Sequence, residues 1–281
     1  MRQIVIVLCV WQIKPHNVIY IVNLVNNLKL GVEWAGELSL FMTRAVQSIR
    51  HSYRRIDQFI IQCEFIGVTS VGILFVAALF MGAVLGYQLF TSFALFGAEA
   101  LVGGTVGVTI FREMGPVLGA VMVTGRAGAA IAAEMASMRV SEQIDALEVM
   151  GVDPYEYLVV PRIVAGSLMM PILAYAFGVV GTFAAYWVSC SVLGLSGATF
   201  WAEFKHWMDW TDLLHCLCKS ISFGFALTML GCFYGFRAEG GARAVGFATR
   251  STVVASCLTI LLLDYFWTMV LPLRANMLIV R

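Results

Sequence analysis

Six charged residues lie within or beside long apolar runs of the chain, where a charge is least expected. They are Glu99, Arg112, Glu113, Arg126, Glu134 and Asp264. A charged side chain that faces lipid is energetically costly, so such residues normally face a cavity or a partner group. These six residues are therefore the first candidates for binding chemistry.

Arg112 and Glu113 are adjacent, so on a helix their side chains point roughly 100° apart and cannot simply pair with each other. We expect one or both to line a polar cavity near the outer leaflet, where an arginine can hold a phosphate group. Glu99 and Asp264 are the other cavity candidates. For Asp264, a hydrogen bond to a neighbouring helix would explain a charge in an apolar run equally well. Arg126 and Glu134 also fit ion pairs between helices or at helix ends.

The segment from Ser141 to Met150 predicts a short acidic amphipathic helix. Ser141 can cap its start, Glu142 suits the first turn, and Gly151 can end it. On a helical wheel the three carboxylates share about 120° of arc, opposite the apolar side chains. The acidic set is Glu142, Asp145 and Glu148, and the apolar set is Ile144, Leu147 and Met150.

An acidic face is unusual for a helix that lies on an anionic membrane surface, which favours a protein partner. A helix this short is marginal alone and would be stabilised by docking. The residues predicted to contact the partner are Ser141, Glu142, Gln143, Asp145, Glu148 and Gly151. An ordinary interfacial connector remains the alternative.

Several common site patterns are absent from the sequence. It contains no GxxxxGK[ST] motif for ATP, and no spacing typical of metal ligands. The seven cysteines are scattered, mostly in apolar runs, where a cysteine behaves as a small hydrophobic residue. Residues 194–197 match the GxSG of intramembrane serine proteases, but a turn explains them better. We expect no catalysis and no cofactor.

The composition identifies the elements that must position these residues. Of 281 residues, 60% are hydrophobic and 12% are charged, with a mean hydropathy of +0.86. Soluble domains carry about a quarter charged residues, so this is an all-α polytopic membrane protein. The net charge of +1 indicates no nucleic-acid partner.

Five apolar runs predict membrane spans, at about 65–90, 112–138, 164–193, 213–236 and 252–271. Residues 92–111 are apolar but glycine-rich, and a re-entrant segment there stays open. In the second span, small residues recur four positions apart, which places them on a shared helix face predicted to pack against other helices. These packing residues are Gly115, Gly119, Gly125, Ala129 and Ala133.

The Lys/Arg bias of the short loops places the N-terminus and the 139–162 and 237–250 loops in the cytosol. Residues 31–60 are basic and amphipathic, as is typical of a helix in the headgroup layer. Residues 1–30 form an N-terminal extension of undetermined role, and a sixth span there is the main rival topology. The transmembrane domain is predicted to be residues 61–281.

The run FREMGPVLGAVMVTGRAGAAIAAEMASMRVSEQIDALEVMGVDPYEYLVVPR at 111–162 closely resembles the MlaE (YrbE) family. These proteins are the membrane subunits of MCE-type lipid ABC transporters. The resemblance extends to FIGVTSVGILFVAALFMGAVLGYQ at 65–88, FGAEAL at 96–101 and KSISFGFALTMLGCFYGF at 219–236. It covers about residues 31–272.

The resemblance implies an inner-membrane permease homodimer that moves phospholipid between inner and outer membranes and contributes to outer-membrane lipid asymmetry. The implied partners are cytosolic ABC ATPases, a ring of periplasmic MCE-domain proteins and, in some systems, a STAS-domain subunit. By resemblance, residues 141–151 are the cytosolic coupling helix between spans two and three. The tryptophan-rich segment 200–212 is the periplasmic helix between spans three and four, and Arg112, Glu113 and Asp264 lie near the lipid cavity.

A proton-coupled secondary transporter that uses intramembrane carboxylates is the alternative function. That mechanism gives an acidic cytosolic helix no evident role, and the sequence shows no inverted repeat.

Overall fold

The structure is a computed structural model that describes residues 15–49 and 56–271, and within these ranges it is helical without strands. The described chain forms eight helices. They are α1 (Pro15–Ile49), α2 (Ile56–Ala94), α3 (Glu99–Val140), α4 (Gln143–Val149), α5 (Tyr155–Val192), α6 (Gly197–Trp207), α7 (Trp210–Phe236) and α8 (Ala242–Val270). The prediction of an all-α protein is confirmed.

Of the described residues, those from 15 to 47 form one unit and those from 48 to 271 a second. Helix α1 continues across residue 30, where the sequence suggested a boundary between an extension and an interfacial segment. Residues 1–14 and Arg50, Arg54 and Arg55 lie outside the described residues. Helices α2 to α8 all lie within the second unit.

Five of the helices are long and apolar enough to cross a membrane: α2, α3, α5, α7 and α8. Among the described residues, the predicted number of five spans is therefore confirmed. Helices α2, α3 and α5 have 39, 42 and 38 residues, whereas about 20 suffice to span the hydrocarbon. The helices thus continue beyond the apolar windows into their polar flanks.

Successive spans cross the membrane in opposite directions, which gives the bundle two distinct ends. The α6 end carries α6 and the turn at 95–98. The α4 end carries α4 and the 237–241 loop.

The glycine-rich start of α3 is helical, and α6 packs against it. A Cβ on Gly103 would lie 2.1 Å from the backbone oxygen of Phe200. A Cβ on Gly104 would lie 2.4 Å from the Trp207 ring, and one on Gly107 would lie 2.7 Å from the Phe204 ring. The glycines therefore let α6 lie directly against the α3 backbone, so this segment is the first part of α3.

The remaining spans also pack through small residues. A Cβ on Gly82 of α2 would lie 2.0 Å from the Gly181 oxygen of α5, and one on Gly86 would lie 2.8 Å from the Ala185 oxygen. Backbones this close gain van der Waals contact where lipid supplies no hydrophobic drive between helices. The spacing Gly82-xxx-Gly86 is the sequence pattern typical of such a close helix contact.

Only some of the small residues predicted to pack along α3 contact another helix within the chain. Gly115 lies against Ala174 of α5, and Gly119 against Leu74 of α2. Gly125, in contrast, is exposed with open space around its Cβ position, and Ala129 and Ala133 are only half-buried. The buried residues in this part of α3 are Ala127, Gly128, Ile131, Ala132, Met135 and Ala136. Gly125, Ala129 and Ala133 therefore do not form a packed face within the described chain, because the helix buries the adjacent face.

Candidate functional site

Lys219 of α7 lies at the centre of a charge cluster near the α6 end. Its Nζ donates to both carboxylate oxygens of Glu113 at 2.9 Å, and lies 2.7 Å from Oδ1 of Asp264. It also donates to the Thr268 hydroxyl at 3.0 Å. The Lys219 side chain is 0% exposed, while Glu113 and Asp264 are partly accessible. One buried ammonium thus joins α3, α7 and α8.

A second ion pair adjoins this cluster. Nε of Arg112 donates to Asp212, whose side chain is 0% exposed. Asp212 also accepts from the backbone N–H of Asp209 at 2.8 Å, as half of the capping box that starts α7. Asp212 therefore fixes both the beginning of α7 and the position of the Arg112 guanidinium.

Local helix geometry explains why Arg112 and Glu113 both reach α7. They lie in a π-helical turn, Ile110–Met114, a type of bulge that is frequent at functional sites. Their partners Asp212 and Lys219 are seven residues apart, which puts them on one face of α7 about 10 Å apart along its axis. Adjacent residues of α3 thus bind at two depths of the same neighbouring helix.

The structure brings together Arg112, Glu113 and Asp264, three of the four predicted cavity residues. Glu99 lies at the start of α3, about 20 Å along the helix from Arg112. The sequence reasoning missed Asp212 and Lys219. The signal was present, because Lys219 is a cation inside the apolar run 213–236.

At the opposite end, α4 is shorter than predicted and begins differently. Glu142 precedes it in the left-handed region, with φ 58°. The Ser141 hydroxyl donates back to the Ser137 carbonyl at 2.8 Å, so it closes α3. The prediction that Ser141 caps the next helix is wrong, because the abrupt turn at Glu142 leaves Ser141 on the final turn of α3.

The predicted end of α4 is confirmed. Gly151 has φ 77°, and its N–H donates to the Glu148 carbonyl at 2.9 Å. The N–H of Val152 donates to the Leu147 carbonyl at 3.0 Å. These two bonds form the Schellman motif, in which glycine is favoured because it adopts the left-handed conformation without strain.

Helix α4 is held by a few contacts and leaves most of its surface open. Ile144 is fully buried, and Asp145 forms an ion pair with Arg139 of α3. Glu142 and Glu148 are exposed. On the apolar side Met150 is 68% exposed, and the neighbouring Val149 is 89% exposed. The outward face of α4 therefore combines carboxylates with apolar side chains.

The other predicted membrane charges have separate partners. Glu134 pairs with Arg162 of α5 at 2.8 Å, which agrees with an inter-helix ion pair. Arg126 donates from Nη1 to the Phe65 carbonyl at 3.0 Å and to the Ser70 hydroxyl at 2.9 Å. Its guanidinium also lies over the Phe65 ring, 5.5 Å from the centroid. Arg126 therefore joins α3 to α2 without a carboxylate partner among the described residues.

The residues 194–197 form the turn expected of them. Gly194 has φ 80°, and Ser196 is the extended residue that precedes α6. Within residues 15–49 and 56–271, no group of His, Cys, Asp or Glu has a geometry suited to a metal ion.

Five apolar spans, a buried charge cluster at one end and a short helix on the surface at the other define a multi-pass membrane protein with polar interior groups. Comparison with known proteins identifies it further. The sequence model of the permease MlaE family matches residues 59–270. The chain belongs to the MlaE permease family, as its sequence motifs predicted.

Three relatives illustrate the range of the family. A probable ABC transporter permease protein of Rickettsia felis is 37% identical over 233 residues, which cover 83% of this chain and 90% of the relative. The intermembrane phospholipid transport system permease protein MlaE of Haemophilus influenzae is 34% identical over 211 residues, 75% of this chain and 81% of the relative. The chloroplastic protein TRIGALACTOSYLDIACYLGLYCEROL 1 of Arabidopsis thaliana is 33% identical over 204 residues, 73% of this chain and 58% of the relative.

Proposed function

We propose that this chain is the membrane subunit of an ATP-driven ABC transporter that moves phospholipids between inner and outer membranes and so contributes to outer-membrane lipid asymmetry. The similarity to the H. influenzae phospholipid transport permease supports the substrate class. The five spans support an inner-membrane location, and the loop charges favour a cytosolic N-terminus. ATP hydrolysis then belongs to a separate partner chain.

The observation that carries the proposal is the outward face of α4. It lies at the end opposite the buried charge cluster and presents Glu142 and Glu148 beside exposed Val149 and Met150. Exposed apolar residues rimmed by charges are typical of a protein interaction surface. We therefore assign α4 as the helix that docks on the cytosolic ATPase, with Gln143, Asp145 and Gly151 supporting its shape.

The charge cluster at the α6 end is the proposed lipid cavity wall. Only Nε of Arg112 has a carboxylate acceptor among the described residues, and the two terminal nitrogens are not enclosed. Such a group can form a bidentate bond with a phosphate. Glu113 and Asp264 stay partly accessible beside it, and Glu99 lies nearer the α6 end. In the transporter, two copies of the chain enclose the lipid, and an MCE-domain ring, with a STAS-domain subunit in some systems, completes the assembly.

The ATPase contact is tested by reversing Glu142 and Glu148 to lysine, with Asp145 left intact because it holds α4 through Arg139. We expect the double variant to lose the P-loop ATPase during co-purification while the permease stays monodisperse. Glu239→Lys is the matched control, since Glu239 is exposed in the 237–241 loop of the same end. If the ATPase remains bound to the double variant, the docking role of α4 is wrong.

The lipid cavity requires a separate test, because Arg112→Ala alone would leave Asp212 buried without its cation. We expect the double variant Arg112→Gln, Asp212→Asn to retain less phospholipid than the parent chain in mass spectrometry of the purified complex. Unchanged lipid occupancy would remove Arg112 from the cavity.

A proton-coupled transporter is the second candidate, and one observation favours it. Two carboxylates, Glu113 and Asp264, face one ammonium, Lys219, so the group carries one excess negative charge when all are ionised. Reconstituted transport distinguishes the two candidates. Lipid movement that needs a proton gradient and proceeds without ATP would support this second candidate and contradict the first.

A further inference from the structure

Arg126 is a membrane-level cation whose hydrogen bonds are incomplete. Its bonds to Phe65 and Ser70 use Nη1 alone. Nε and Nη2 have no acceptor among the described residues, and neither atom is enclosed by protein. A guanidinium has five N–H donors, so about three of them have no acceptor within the described chain.

The depth of Arg126 follows from helix α2. The exposed Glu64 is the last charged residue before a run that carries no charge from Phe65 to the end of α2 at Ala94. The apolar part of this run, from Phe65 to Gly86, precedes the polar side chains of Tyr87 and Gln88 and rises about 33 Å, close to the roughly 30 Å of the hydrocarbon core. Because Arg126 binds the Phe65 carbonyl, it lies at the hydrocarbon boundary on the α4 side.

The surface beside the guanidinium is open. Gly125 is exposed, and a Cβ placed there would have no heavy atom within 4 Å. Nearby Met122 is also exposed, so this face of α3 is accessible from the lipid. A cation with free donors, at the headgroup level and beside open space, has the geometry that recognises a phosphate.

We propose that Arg126 binds the headgroup phosphate of a phospholipid in the leaflet on the α4 side, with Gly125 leaving room for the headgroup. This site is about 20 Å along α3 from Arg112 and is separate from the charge cluster at the α6 end. Binding at Arg126 does not depend on the transport activity. A role of Arg126 in transport rests on the proposed function. In that role, Arg126 and Arg112 would each contact the lipid phosphate, one in each leaflet.

Native mass spectrometry of the full chain, titrated with phosphatidylglycerol in detergent, measures this binding. Gly125→Leu fills the open space and leaves the bonds of Arg126 to Phe65 and Ser70 in place. We expect it to weaken retention of one phospholipid by about tenfold or more, the scale of a lost charge-assisted bond. Gly72→Leu is the matched control, since Gly72 is an exposed helical glycine with equally open space on α2.

Arg126→Gln should lose the same phospholipid, and Arg126→Lys should restore part of the binding. Inorganic phosphate at millimolar concentration should not displace the lipid. Displacement would mean that free phosphate, not a lipid headgroup, is the ligand. Unchanged lipid retention in both Gly125→Leu and Arg126→Gln would overturn the proposal.

A second copy of the chain is the rival occupant of this face. Cross-linking by a short bis-maleimide in Gly125→Cys, but not in Gly72→Cys, would place a second copy over Arg126 and overturn the lipid assignment. The double variant Arg112→Gln, Asp212→Asn should keep the Arg126 lipid. The two sites can therefore fail independently, which separates this inference from the proposed function.

Discussion

At the α6 end, five charged side chains from α3, α7 and α8 form two ion-paired groups, and Lys219 and Asp212 are fully buried. At the α4 end, Glu142 and Glu148 face outward, and among the described carboxylates of residues 142–148 only Asp145 forms an ion pair, with the partly exposed Arg139. Buried charges are tightly coupled to the fold, because removing one leaves its partner without compensation. Exposed charges contribute little to the fold and are free to recognise a partner.

The largest loss of stability is expected from Lys219→Met. It leaves Glu113 and Asp264 close together without a cation, and breaking such a buried pair costs about 3–5 kcal/mol. The free energy of unfolding, measured by SDS titration in mixed micelles, should fall by that amount. Lys205→Met on α6 is the control, since Lys205 is exposed.

Adding Glu113→Gln and Asp264→Asn to Lys219→Met should recover part of the lost stability, because the uncompensated negative charges are then removed. Equal stabilities of Lys219→Met and Lys205→Met would mean that the cluster does not stabilise the bundle.

The second-largest loss of stability is expected from a substitution where α6 packs on α3. Gly103→Ala places a methyl group 2.1 Å from the Phe200 oxygen, so α6 must shift. Overpacking of this kind costs about 1–3 kcal/mol. Gly72→Ala gains the same helix propensity without a clash and is therefore the matched control. Thermal unfolding followed by tryptophan fluorescence should show Gly103→Ala as the less stable of the two.

The elements of this fold were predictable because each depends on a local pattern. The five spans follow from apolar length, and the end of α4 follows from Gly151. The pairing of Gly82 and Gly86 with α5 also follows a local spacing, although the identity of the partner helix does not.

The candidate site was only partly predictable, because its contacts are made between distant parts of the chain. Arg112 and Glu113 stood out in an apolar run, but their partners lie about 100 residues later on α7. Asp212 resembled part of a polar loop, since its burial depends on how α3 and α7 pack. The buried face of α3 near Gly125 was also misjudged, because several stripes of this helix carry small residues and π-helical turns at Ile110–Met114 and Thr124–Gly128 alter its register.

A smaller loss of stability is expected from a substitution at the end of α4. Gly151→Ala forces a residue with a side chain into φ 77°, which costs about 1 kcal/mol. Gly246→Ala on α8 is the control, since Gly246 is helical with open space around it. Hydrogen exchange should show faster opening of residues 143–152 in Gly151→Ala alone. Unchanged exchange there would mean that the Schellman motif does not set the stability of α4.

The smallest effect on stability is expected from the Arg139–Asp145 ion pair, which is the direct counterpart of the Lys219 cluster. Both side chains are substantially exposed, at 32% and 52%, and exposed pairs contribute about 0–1 kcal/mol. A double-mutant cycle with Arg139→Gln and Asp145→Asn should therefore give a coupling energy below about 1 kcal/mol in the isolated chain. A coupling as large as that of the Lys219 cluster would show that α4 is fixed to α3 as firmly as the buried charges fix α7. The contrast between the two ends would then be wrong, and α4 would be a rigid part of the bundle.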